Sequence, residues 1–322
     1  MSEQLDTLDP HYRTVIKAIT DGRLVPFLGA GVNLCGRPQD MAWQRGQYLP
    51  SGGELAAYLA ENFGYPGSDK FDLVRVSQYI AVVTGSGPLY EELHALFDVD
   101  YPPTPLHQFL ATLPALLHEK GYPPRYQLIV TTNYDDLMER AFRVAGEPFD
   151  LVAYVTEGER EQRGKFVHWP PDGEARLIEK PNEYRGLSLD QRPVILKIHG
   201  AVDRADAGRD SYVITEDHYI DYLTHTDISN LVPVTLAAKL KKSHFLFLGY
   251  SLRDWNLRVI LHRIWGEQTL TYKSWAIQLN PEPIERKFWN KRDVDILDVR
   301  LEEYVAALRE RLQALSRPGG GT

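Results

Sequence analysis

The 322-residue sequence holds a single cysteine, Cys35. One thiol closes no internal disulfide and cannot supply the paired Cys-x-x-Cys clips of a four-cysteine zinc site. No apolar run approaches the roughly 20 residues of a membrane-spanning helix. Residues 1–10 carry acids without a basic flank leading into an apolar stretch, so neither a membrane span nor a secretory leader is expected, and the cytoplasm is the default location. Positive charge is in deficit: 36 Lys plus Arg stand against 44 Asp plus Glu, a net charge of -8 that argues against direct nucleic-acid binding. No fixed-period repeat is visible. What remains, 43% hydrophobic and 25% charged residues, is the composition of an ordinary globular protein with enough chain for a sizeable core.

Short apolar, β-branched runs at 24–28, 127–131, 193–198, 244–248, 274–279 and 294–299 alternate with segments of helical spacing. Strands separated by helices imply parallel crossovers, so the expected fold class is α/β, a Rossmann-like doubly wound parallel sheet. Four helical patterns in a row, at 54–63, 72–83, 89–97 and 106–117, exceed the needs of one crossover, and a helical subdomain inserted at about 52–120 is expected. The stretch 157–192 is rich in charge, proline and glycine and reads as an irregular surface insertion with one β-like piece at 165–169. Further helices are expected at 216–223, capped by Thr215, and at 231–241, 254–265, 283–290 and 301–315. Residues 1–316 read as one domain and 317–322 as a mobile, glycine-rich tail.

In an open parallel sheet the ligand crevice lies beyond the carboxyl ends of the strands. Five such ends carry polar or glycine clusters. Gly29-Ala30-Gly31, followed by Val32 and Asn33, would let backbone approach phosphate oxygens, or would serve only as a tight turn. Thr132, Asn133 and Asp135 suit an Asx turn and helix cap, or a grip on a ribose and a carboxamide. His199 ends its strand beside Gly200, and is either a structural histidine or, at a cleft, a general base suited by a near-neutral pKa. Gly249-Tyr250-Ser251 and Asn280 supply the last two ends. Histidines 11, 94, 107, 118, 225 and 262 show no metal-ligand spacing. Tyr212, Tyr219, Tyr222, Trp255 and Trp265 read as core or interface aromatics, and Lys239, Lys241 and Lys242 as a solvated helix end.

Taken in order, Phe-Leu-Gly-Ala-Gly-Val-Asn at 27–33, Thr-Thr-Asn-Tyr-Asp at 131–135, Lys-Ile-His-Gly at 197–200 and Gly-Tyr-Ser at 249–251 resemble the signature series of the sirtuins. The segment 247–254 is more similar to the prokaryotic, defence-associated branch than to the deacylases. The resemblance implies an NAD site in which Gly29, Ala30 and Gly31 cradle the pyrophosphate and Asn33 lies near the phosphates or nicotinamide ribose. It further implies that Asn133 orients the ribose or an attacking water, Asp135 holds the carboxamide, and His199 is base toward a ribose hydroxyl. Gly249, Ser251 and Asn280 would face the adenosine half, with Val32, Thr132 and Tyr250 in the same loops. With Cys35 alone, the zinc module of the deacylases is absent, Thr132 stands where a glutamine is usual, and the aspartate-phenylalanine-arginine element has no clear counterpart. The implied activity is therefore NAD glycohydrolysis, with NAD as substrate and no metal, by the NAD-depleting effector of a bacterial anti-phage system working as an oligomer or with a partner protein. An NAD-dependent deacylase or ADP-ribosyltransferase, and a non-catalytic NAD- or ADP-ribose-binding regulatory subunit, are the alternatives.

Overall fold

The computed structural model describes residues 8–38, 40–157, 161–224, 232–250, 261 and 272–317. Helix α1 (Asp9–Thr20) precedes strand β1 (Leu24–Leu28), whose five residues are all buried, and a 3-10 turn over Ala30–Leu34. Four helices follow: α2 (Gly52–Asn62), α3 (Leu73–Thr84), α4 (Ser86–Phe97) and α5 (Pro105–Glu119). Three of the four starts have a local side-chain cap. Ser51 and Glu54 form a reciprocal capping box on α2, Asp72 accepts from the Arg75 N–H on α3, and Thr104 pairs with His107 at the start of α5.

The chain then runs through β2 (Leu128–Thr131), α6 (Leu137–Ala145), β3 (Asp150–Tyr154), β4 (Phe166–Trp169), β5 (Arg176–Leu177) and β6 (Val194–Lys197). It closes with α7 (Glu216–Thr224), α8 (Val234–Lys241), β7 (His244–Leu248), β8 (Ser274–Ile277), α9 (Pro283–Asn290), β9 (Val294–Leu297) and α10 (Leu301–Gln313). The nine strands form one sheet in the order β5-β4-β3-β6-β2-β1-β7-β8-β9, parallel from β3 to β9. This is the α/β, Rossmann-like class expected. Two features differ from the sequence reading. Residues 150–154, unassigned there, form a buried parallel strand, and the 157–192 stretch contributes two antiparallel strands, β4 and β5, that extend the sheet edge rather than lying wholly irregular. Apart from Leu261, the helix expected at 254–265 lies outside the described residues, as do Ser251, Trp255, Trp265, His225, His262 and residues 318–322.

Alternation along each strand splits the core between the two faces of the sheet. Phe27, Val130, Leu196 and Phe247 point into one cluster with Trp289, while Leu28, Ile129, Ile195 and Leu248 point into the other with Trp275. A third cluster joins Leu59, Ile80, Leu93 and Phe97 of the helical layer to Tyr134, Leu137, Tyr212 and Ile214 from the loops after β2 and β6. The helical layer is thereby seated over the carboxyl ends of the central strands.

Candidate active site

The strand register lines up the ends of five neighbouring strands. Leu28 pairs with Thr131 and with Leu248, Thr131 with Lys197, and Leu248 with Ile277. The sheet order reverses direction at β1 and β7, which is where a doubly wound sheet opens its crevice. A cleft of about 690 Å³ occupies that place. Gly29, Ala30, Gly31, Asn33, Thr132, Asn133, Asp135, His199, Gly249 and Tyr250 all line it.

The glycine turn is held by its neighbour. The Gly29 N–H donates to Leu248 O at 3.0 Å and the Gly31 N–H to Gly249 O at 2.8 Å, so two amides of the turn are spent on the β7 end. A Cβ on Gly249, whose φ is +66°, would stand 2.2 Å from the Val32 nitrogen, and one on Gly31 would stand 2.6 Å from Gly249 O. These glycines are therefore required first for two loops to interlock, a close approach made between backbones of the protein itself. Tyr250 covers the junction: its ring packs edge-on against Phe27, and its hydroxyl donates to Thr132 Oγ1 at 3.0 Å. Val32 lies wholly buried in the core beneath the turn and does not line the cleft.

Two asparagines are fixed so that their amide oxygens have no partner among the described residues. Asn33 Nδ2 donates to Asp135 Oδ2 at 3.1 Å, and Asn133 Nδ2 donates to Gly29 O at 3.3 Å. Because both partners are acceptors, each amide nitrogen must face them, and Asn33 Oδ1 and Asn133 Oδ1 are left buried with no partner among the described residues. The other oxygen of Asp135 accepts the Leu137 N–H at 3.1 Å, as an aspartate before a helix commonly does. The main chain of Asn133 is held in turn by Thr131 Oγ1 at 3.0 Å.

His199 completes the set. It is buried, its Nδ1 lies 3.5 Å from the Tyr219 hydroxyl, and its Nε2 has no partner among the described residues. Burial without an opposing carboxylate pushes its pKa down to about 3, so the imidazole is neutral across the physiological range. Its backbone is anchored by the Val213 N–H donating to His199 O at 2.9 Å, and Val213 O takes the Tyr134 hydroxyl at 2.8 Å. Among the described residues, two amide oxygens and one neutral imidazole nitrogen thus stand unpaired around one cleft. With the His199 proton on Nδ1, facing the Tyr219 hydroxyl, such a constellation accepts hydrogen bonds from hydroxyl and amide donors and stabilises positive charge developing between its members.

Asn280 is not brought in. Strand β8 ends at Ile277, earlier than the sequence run suggests, so Gln278 and Leu279 line the cleft, while Asn280 is exposed at φ +50° with its N–H donating to Asp298 Oδ1. Sequence reasoning missed Tyr219, which packs edge-on to His199, and Val299, Arg300 and Glu302, which follow β9. The signal for the last three was available, since a sixth strand end obeys the same rule as the other five. Among the described residues no group of three or more His, Cys, Asp or Glu is placed to hold a metal ion, and no helix is long and apolar enough to cross a membrane.

A family model described as a SIR2-like domain matches residues 127–297, which include Asn133, Asp135, His199 and Gly249. Among curated proteins, Defense-associated sirtuin 2 of Bacillus subtilis is 26% identical over 305 residues, spanning 90% of this chain and 25% of its own. Two proteins named NAD(+) hydrolase ThsA are also similar. The one from Acinetobacter baumannii is 27% identical over 254 residues, 78% of this chain and 41% of its own, and the one from Enterococcus faecium is 26% identical over 287 residues, 88% and 47%. The chain therefore spans between a quarter and about half the length of these relatives.

Proposed function

The chain belongs to the SIR2-like domain family, and from that premise we propose that its cleft binds NAD as substrate and hydrolyses the bond between nicotinamide and ribose. The observation that carries this reading is the convergence of Asn33 Oδ1, Asn133 Oδ1 and His199 Nε2, all buried and unpaired among the described residues, on one cleft at the switch point of the sheet. Similarity to proteins named NAD(+) hydrolase supports the choice of substrate. Breaking the glycosidic bond builds oxocarbenium character at the anomeric carbon while nicotinamide leaves. In this reading Asn133 orients water or a ribose hydroxyl, Asp135 fixes Asn33 and takes the carboxamide, and His199 accepts a hydrogen bond from a ribose hydroxyl. The 29–33 turn and Gly249 border the phosphates, and Tyr250, Gln278 and Arg300 the adenosine half. Asn280 is left out of the assignment because it is exposed and does not line the cleft. The products are nicotinamide and ADP-ribose or its cyclic isomer.

We assign the chain to anti-phage defence in the cytoplasm by its similarity to Defense-associated sirtuin 2, with residues 1–316 as one unit whose insertions at about 52–120 and 157–192 meet a second copy or a partner protein. The test is nicotinamide release from NAD by the purified chain, alone and with the product of the neighbouring gene. Asn133→Ala and His199→Ala should each lower turnover at least about 100-fold while leaving the fold intact. Retained turnover in both variants overturns the residue roles. Release that depends on an acylated peptide moves the assignment to a deacylase, and nucleotide binding without release under every condition moves it to a regulatory subunit.

A further inference from the structure

Lys197 is a charged residue placed where a strand of the core ends. Its side chain is 1% exposed, and the register of β2 against β6 sets it beside Thr131, where the 132–136 loop begins. Its ammonium has three protons and meets three acceptors: Tyr134 O at 3.3 Å, Asp135 O, and Glu139 Oε1 at 2.7 Å. Two of those acceptors are main-chain carbonyls of the loop whose side chains, Asn133 and Asp135, enter the cleft. The third is a buried carboxylate one helical turn further on, which neutralises the ammonium. Tyr134 O also accepts the Val202 N–H at 3.0 Å, so the loop after β2 is tied both to the Lys197 side chain and to the loop that follows His199.

We propose that Lys197 is a positioning residue for the nucleotide cleft: its ammonium pins the Tyr134–Asp135 backbone from below and so sets where the Asn133 and Asp135 side chains stand. An apolar side chain of similar length would fill the volume and leave Asp135 O without this donor. A guanidinium offers a planar fork, and the three acceptors here are two carbonyls and a carboxylate arranged around one nitrogen, which suits a rotating ammonium. The kinetic and ADP-ribose parts of the test rest on the reading of the cleft as an NAD site, and the amide-exchange part does not.

Buried ion pairs contribute little to stability compared with well-packed apolar replacements, whereas removing one partner alone strands a charge. The informative variant is therefore the double one, Glu139→Gln with Lys197→Met, set against Glu139→Gln alone, which keeps the ammonium and both carbonyl contacts. The single variant should retain turnover within about threefold. The double variant, which strands no buried charge, should melt at or above it, yet exchange the backbone amides of 133–137 about tenfold faster or more, bind ADP-ribose more weakly, and lose at least about tenfold in kcat with a smaller change in KM. If the double variant melts far below the single one, Glu139→Gln with Lys197→Gln replaces it; one remaining donor should give exchange rates between the other two. Unchanged amide exchange at 133–137 together with unchanged ADP-ribose affinity in a folded double variant overturns the proposal. Should the parent chain release no nicotinamide, the exchange measurement still decides on Lys197, and it is the hydrolase reading that fails.

Discussion

Replacing His107 with glutamine should leave stability near pH 7.5 almost unchanged and remove a defined part of the protein's sensitivity to acid. His107 sits at the third position of α5, wholly buried, and its Nδ1 accepts the Thr104 N–H at 3.3 Å and lies 2.8 Å from Thr104 Oγ1. An acceptor role at Nδ1 requires the neutral ring. Burial is the main cause that pushes the pKa down to about 4, with the Lys197 charge adding to it and Asp135 opposing. His199, at about 3, and His11, at about 4, are lowered in the same direction by burial. The folded pKa lies below the unfolded value near 6.5, so the stability associated with each neutral ring is complete above pH 6.5 and is lost as pH falls toward the folded pKa. The slope is about 1.4 kcal/mol per pH unit per group, hence about 2 kcal/mol each between pH 6.5 and 5, or about 6 kcal/mol for the three. Glutamine is an ordinary partner in a capping box and does not titrate. Urea unfolding of the parent and His107→Gln at pH 7.5 and 5.0 should therefore show a gap that opens by about 2 kcal/mol in favour of the variant at the lower pH. Parallel loss of stability in the two proteins would refute the argument.

Three other perturbations have defined outcomes. Gly249→Ala drives a Cβ against the Val32 nitrogen at a positive φ and should cost about 2–4 kcal/mol in urea unfolding, with loss of nucleotide binding because the turn at 29–33 must shift. Asp150→Ala removes the carboxylate that meets His168 Nε2 at 2.9 Å and Arg192 Nε at 2.8 Å at the start of β3; it should destabilise by about 3–5 kcal/mol, measured by thermal melting, with Asp150→Asn costing less. Asn33→Asp faces a second carboxylate toward Asp135 Oδ2, where an amide now donates at 3.1 Å. One of the two must hold a proton, so its folded pKa rises above the unfolded value, and the variant should lose stability relative to the parent as pH climbs from 5 to 8.

Much of the architecture was readable because buried parallel strands leave short apolar runs that end in small or polar residues, as at Leu28–Gly29 and Leu248–Gly249. Strand β3 was not, since Asp-Leu-Val-Ala-Tyr opens on an acid after Gly-Glu-Pro-Phe, and only pairing with β6 decides that the acid is buried. Strands β4 and β5 lie in a charged stretch whose membership of the sheet is settled by hydrogen bonds to β3 rather than by composition. In the cleft, the loops were legible and the individual side chains less so. Asn280 was read as a strand-end residue because the apolar run 274–279 continues two residues beyond the last paired residue, Ile277. Lys197 carries no mark in the sequence of being buried, and the interlock of Gly31 with Gly249 cannot be foreseen without knowing that β1 and β7 are neighbours.

The pairing of β1 with β7 also governs when the cleft comes into being. Leu24 lies against His244, about 220 residues away in the chain, and Phe27 lies against Val130 on its other side. At synthesis rates of about 5–20 residues per second, the glycine turn waits at least about ten seconds for the strand end that shapes it. Until then Gly29 and Gly31 lack their amide acceptors, and Tyr250 and Arg300 have not yet been made. An emerging chain is thus unable to form the nucleotide pocket until β7 and the residues up to Glu302 that line the cleft have left the ribosome.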